Sequence, residues 1–129
     1  MKTKKLIIWM MCLIMVFGST MAVNAISKTE TITGYKCTSS LYFTDTHVVA
    51  SFTAEVQDYE YQLPEEVLSC SVNGYVYDYI YEDRAVQTIG ASGGSSCTSE
   101  RNVAGLYPGR AEVDYYFLGS YVRSLTAYY

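Results

Sequence analysis

Tyr75, Tyr77, Tyr79 and Tyr81 occupy every second position of NGYVYDYIYED, residues 73–83. Four phenol rings at that spacing can do one of two jobs. Turned inward, they supply much of the apolar area that a small domain buries. Turned outward, they form a stripe about 20 Å long whose ring faces and hydroxyls can hold a glycan, a wall polymer or a protein. These four are the candidate ligand-binding residues.

Other chemistry has thin support. His47 is the single histidine and follows Asp45 by two positions. Serines are plentiful, yet there is no G-x-S-x-G elbow and nothing places a serine or a cysteine beside His47, so neither a serine triad nor a cysteine–histidine pair is expected. Glu112 and Asp114 share one face of a strand, and Asp78 and Glu82 would share another. Paired carboxylates hydrolyse glycosidic bonds when a cleft holds the sugar between them, but the same pairs decorate the solvated face of any acidic β protein. Asp58, Glu60, Glu82 and Asp83 lack the Asp-x-Asp-x-Asp-Gly order of a calcium loop. No cysteine pair has C-x-x-C spacing and one histidine cannot complete a zinc site, so neither a metal nor a cofactor is expected.

The N-terminus reads as an address. Lys2, Lys4 and Lys5 precede an apolar run from Leu6 to Phe17, and small residues follow up to Ala25. This is the order of a secretory signal peptide, with cleavage expected after Ala25 and, second, after Ala22. The run is shorter than the ~20 residues of a membrane-spanning helix, so no stable span is expected after cleavage. A single secreted domain, residues 26–129, would remain.

Removing the leader takes three of the nine basic residues and none of the 13 acidic ones, which leaves a formal charge of −7. That sign argues against nucleic acid, whose binding needs clustered Lys and Arg, and against attraction to anionic lipid. Cys37, Cys70 and Cys97 stay in the mature chain, an odd number that permits one disulfide. The expected bridge joins Cys37 to Cys97 and leaves Cys70 buried.

Period-two alternation runs through the chain and no amphipathic helical period appears. His47–Val56 is the clearest strand, with Val48, Ala50, Phe52, Ala54 and Val56 on one face. Strands are also expected over 29–37, 39–44, 85–89, 111–118 and 121–129. Pro64 opens one helical turn, GASGGSSCTSE (90–100) is a loop, and Pro108-Gly109 occupies a turn. About seven short strands predict an all-β fold, a small antiparallel β-sandwich, with a small barrel as the second choice.

Asn73-Gly74 decides where the tyrosines point. Asn-Gly is a strong two-residue hairpin signal, and a hairpin would set Tyr75, Tyr77 and Tyr79 opposite Val72, Cys70 and Leu68, in the core. A strand running straight through Gly74 would reverse the parity and turn the rings outward. The hairpin is favoured, because a straight strand would be overlong and would bury Asp78.

The composition suits a non-enzymatic exported module that binds a cell-surface glycan, a wall polymer or a protein through the aromatic face or loops. The alternative is a small secreted effector or antimicrobial protein acting on an envelope component, with a small hydrolase third. Tyr128 and Tyr129 end a strand that is able to pair with a second copy, so a homo-oligomer is compatible with the sequence.

Overall fold

The structure is a computed structural model that describes residues 23–80 and 84–129. The expected leader, as far as residue 22, lies outside the described residues. Eight strands follow: β1 Val23–Ile32, β2 Tyr35–Phe43, β3 His47–Val56, β4 Cys70–Asp78, β5 Arg84–Gly93, β6 Ser96–Asn102, β7 Pro108–Phe117 and β8 Ser120–Tyr128. Two short 3-10 turns, Tyr59–Tyr61 and Glu65–Val67, sit between β3 and β4. One antiparallel sheet has the order β1-β2-β3-β6, the other β5-β4-β7-β8, and they pack face to face as a β-sandwich.

The eighth strand comes from the segment read as a Gly/Ser loop. Gly90–Gly93 completes β5, Gly94 and Ser95 carry the chain across the sandwich, and β6 begins at Ser96. In β6, Cys97 and Ser99 are buried while Thr98 and Glu100 are exposed, a period of two written in small residues. The expected turn at Pro108-Gly109 is displaced as well. The chain reverses just before it, where the Leu106 N–H donates to the Val103 carbonyl at 3.1 Å, and Pro108 opens β7.

Apolar alternation selects the inner faces. Leu41, Phe43, Val48, Ala50 and Phe52 of the first sheet meet Val72, Val76, Ala111, Val113, Tyr115, Phe117 and Leu125 of the second, all buried in one cluster. Phe117 takes an edge of Tyr35 at 5.7 Å and lies tilted against Phe52 at 5.7 Å, so three rings from both sheets lock together. The Tyr115 hydroxyl donates to the Ser40 carbonyl at 2.6 Å and satisfies the one polar atom that its fully buried ring brings inside.

The hairpin expected at Asn73-Gly74 is not there. β4 runs straight through both residues, pairing Gly74 with Val113 on one side and Ile89 on the other. The overlength objection disappears because the Glu65–Val67 turn and residues 68–69 precede the strand, leaving nine residues. Gly74 serves close approach rather than a turn. A Cβ there would stand 2.0 Å from the Glu112 carbonyl oxygen and 2.7 Å from the Val113 Cα. Asp78 is indeed buried at the end of β4, and its Oδ1 accepts the Ile80 N–H at 2.8 Å, turning the chain out of the strand.

A two-residue hairpin is found instead at Thr33-Gly34, which breaks the strand expected over 29–37. Both residues have positive φ, 50° and 77°, as a turn matching the strand twist demands. Thr33 is β-branched and pays the left-handed penalty without need. Thr33→Asn is expected to raise stability by about 1 kcal/mol, read as a higher urea midpoint at unchanged m-value.

Side chains close the two long seams of the sandwich. On the β5/β6 side, the Arg101 Nε donates to the Thr88 carbonyl and the Gln87 Nε2 to the Asn102 carbonyl, each at 2.9 Å. On the β1/β8 side, Arg123 pairs with Glu30 at 2.5 Å, and the Tyr129 ring packs edge-on against Phe43 at 5.5 Å.

Candidate ligand-binding face

With β4 running straight, its even residues Cys70, Val72, Gly74, Val76 and Asp78 are buried and its odd residues point away from the core. Tyr75 and Tyr79 are exposed and Tyr77 is half-buried, which corrects the inward placement expected from a hairpin. Tyr81 lies outside the described residues.

β7 is the neighbour that completes the face. It buries Ala111, Val113, Tyr115 and Phe117, so Arg110, Glu112, Asp114 and Tyr116 flank β4 on the outside. Glu112 is the register partner of Tyr75 and Arg110 that of Tyr77. The Tyr75 and Tyr77 rings meet edge to face at 6.4 Å, and the Arg110 guanidinium carbon lies 4.2 Å above the centre of the Tyr77 ring. Arg110 is fixed in that position by Glu112, Nε to Oε1 at 3.1 Å. Partial burial, and after it the negative charge of Glu112, pushes the Tyr77 phenol above its ordinary value, so it stays a neutral donor at physiological pH.

The aromatic face extends past the stretch that announced it. Tyr79 leaves the end of β4 and meets Tyr107 edge to face at 6.4 Å, its N–H donating to the Tyr107 carbonyl at 3.2 Å. Toward the other end, Tyr116 and Tyr121 form a third pair at 6.0 Å. Between the pairs, the Ser124 hydroxyl donates to Asp114 and contacts the Tyr121 hydroxyl at 2.9 Å. The outer surface of this sheet is therefore three tyrosine pairs around a ridge of one arginine and two carboxylates. Sequence parity could have supplied Arg110 and Tyr116, because they alternate in step with Glu112 and Asp114, which were expected to share one face. Tyr107 lies outside the strands, and Tyr121 meets Tyr116 only through the register shift between β7 and β8, which parity does not reveal.

Among the other candidates, Glu112 and Asp114 do share the outer face of β7. Asp78 faces inward, and Glu82 lies outside the described residues. His47 sits at the start of β3 with its Nδ1 2.7 Å from the Thr46 hydroxyl. Asp58 accepts the Glu60 N–H and so caps its own turn. Among the described residues no group of three or more His, Cys, Asp or Glu side chains is placed to hold a metal ion, and no helix is long and apolar enough to cross a membrane.

The expected Cys37–Cys97 bridge is not formed: all three cysteines are buried free thiols. Cys37 is on β2 and Cys97 on β6, and β3 lies between them, with Ala54 opposite Cys37 and Phe52 opposite Cys97. Two strand spacings put their Cα atoms about 9–10 Å apart before the register offset is added, beyond the ~7 Å that a disulfide spans.

One groove of about 490 Å³ opens where the 57–69 connection folds over the sandwich end. Tyr35, Leu63, Leu68 and Ser95 line it, and the Tyr35 hydroxyl accepts the Leu63 N–H at 2.9 Å. No family model, curated protein or solved structure matches the chain.

Proposed function

We propose that the chain is an exported, non-enzymatic binding module and that the outer face of the β5-β4-β7-β8 sheet holds a surface glycan or wall polymer. The observation that carries this reading is the outward placement of Tyr75, Tyr77 and Tyr79, with Tyr107 and Arg110 beside them. Exposed rings bring a monomer little beyond their edge-to-face and cation–π contacts, whereas a patch of rings rimmed by charge is what a partner covers. Edge-to-face pairs present alternating ring faces and edges, and each phenol adds a hydroxyl, so the surface suits a polymer bearing both C–H faces and hydroxyls. Export agrees with the basic and apolar order of residues 2–17. A cut after Ala25 would remove the Val23–Phe43 pair, which lies beyond the register shift, and keep the regular β1–β2 ladder from Ile26 onward.

The test is binding of the purified chain to insoluble peptidoglycan and to a surface-glycan array, beside the double variant Tyr75→Ser, Tyr79→Ser. Both rings are exposed, so the fold should persist. The expected result is retention on one of these probes, weakened about tenfold or more by the variant. Equal retention of both proteins, or none by either, would sink the proposal and turn attention to protein partners of the same face.

A further inference from the structure

The three buried thiols are not equivalent in position. Cys70 opens β4 in one sheet, and its register partner on β5 is Gly93. From Gly93 the chain crosses to the other sheet and reaches Cys97 four residues later. A Cβ built on Gly93 would come within 3.4 Å of the Cys97 Cβ and 2.1 Å of the Ser96 carbonyl oxygen. The missing side chain at Gly93 is therefore what lets Cys97 lean over the second sheet, next to Cys70. β4 and β6 are in contact across the two sheets, and the place of Gly93 between these residues sets the two thiols side by side. Cys37 is excluded from Cys97 by the strand between them.

We propose that Cys70 and Cys97 form a disulfide that staples the two sheets together and leaves Cys37 as a buried thiol. A groove of about 410 Å³ lined by Ser69, Ser71, Ser92 and Tyr116 lies on the outer side of this strand end, and a small disulfide donor reaches the inward-facing Cys70 sulfur by local opening of the end of β4. The Cys70 thiolate attacks one sulfur of the donor and expels the first donor thiol, forming a mixed disulfide. The Cys97 thiolate then attacks the Cys70 sulfur and expels the second. Two protein thiols are oxidised, one donor disulfide is reduced to two thiols, and the two protons pass to the departing thiolates. The bond closes a loop across the point where the chain changes sheets, so it restrains the crossing that turns β5 into β6.

The reaction needs only the folded chain and a donor, so its outcome is independent of the export and binding readings. The reduced full chain is exposed to oxidised glutathione, quenched in acid, alkylated without reduction in denaturant, and digested after Lys, Arg and Glu, which separates the cysteines onto different peptides. The expected product is the Cys70 peptide joined to the Cys97 peptide, with Cys37 alkylated. Cys37→Ala is expected to form the same product at a rate within about twofold of the parent, since Cys37 takes no part in the exchange. Alkylation of both Cys70 and Cys97, or a link from Cys37 to either, would overturn the proposal.

Discussion

Gly74→Ala is expected to lose about 3–5 kcal/mol of stability, a large share of the about 5–15 kcal/mol that holds a domain folded. The reason is the 2.0 Å gap between the new Cβ and the Glu112 carbonyl oxygen, a backbone atom that no rotamer change can move. The middle of the sheet would have to part or slide, and β4 is hydrogen-bonded on both sides. Gly90→Ala is the matched control. It lies on the outer face of β5 with nothing within 4 Å of its Cβ, and it should be neutral or slightly stabilising because the unfolded chain loses freedom. A third variant separates the straight strand from a hairpin, since both would resist alanine at position 74. Asn73 is an exposed mid-strand residue, where Asn73→Thr should gain about 0.5 kcal/mol, whereas a turn needing positive φ would lose about 1–2 kcal/mol from a β-branched residue. Urea midpoints of the three variants decide the matter, and a destabilised Asn73→Thr would restore the hairpin.

Reduced protein should also unfold steeply in alkali. Burial raises the Cys37 thiol from 9.0 to about 11 and the Cys97 thiol from 9.0 to about 12, and it raises Cys70 as well. Burial likewise lifts the Tyr115 phenol above its ordinary 10.0. A group whose folded pKa lies above its unfolded one keeps its proton in the fold after the unfolded chain has released it. The folded state then binds more protons, so stability is flat below the unfolded pKa and falls as pH rises. The decline begins near pH 9 with the thiols, steepens near pH 10 as Tyr115 joins, and continues to about pH 12. Each group contributes a slope of at most about 1.4 kcal/mol per pH unit. Urea midpoints measured in reductant between neutrality and about pH 11 check this window, and a profile flat across it would contradict the burial of these groups. With Cys70 and Cys97 joined, two of the raised groups no longer titrate, so the oxidised chain should show a shallower fall.

Much of the architecture was legible because apolar alternation marks a strand wherever side chains are large. β3 and β7 were read with the correct inner faces for that reason. β6 was missed because its pattern is carried by Cys97 and Ser99, whose burial leaves no hydrophobic signature, and because glycine and serine suggest a loop. The hairpin error was of another kind. Asn73-Gly74 has the local preference for a turn, but the backbone of β7 needs the space that Gly74 leaves, and packing overrode propensity. Thr33-Gly34, a true two-residue turn, has a first residue that argues against one. The tyrosine stretch did mark the candidate face, while its orientation hung on that one glycine. Arg110 and Tyr107 joined it only through strand pairing, which no single stretch of sequence displays.

The seam between β1 and β8 bears on how the domain would meet mechanical load. Ile26 pairs with Leu41, two residues before Phe43, and Phe43 holds the Tyr129 ring, so the start of the proposed exported chain and the end of β8 emerge at the same end of the sandwich. Tension drawn between these two points would strip β1 from β2 and β8 from β7 one ladder rung at a time, as a zipper opens, instead of shearing many bonds together. The Glu30–Arg123 clasp lies toward the far end of both strands and is loaded only after most rungs have opened. The domain is therefore expected to open at low force when it is pulled from these two ends.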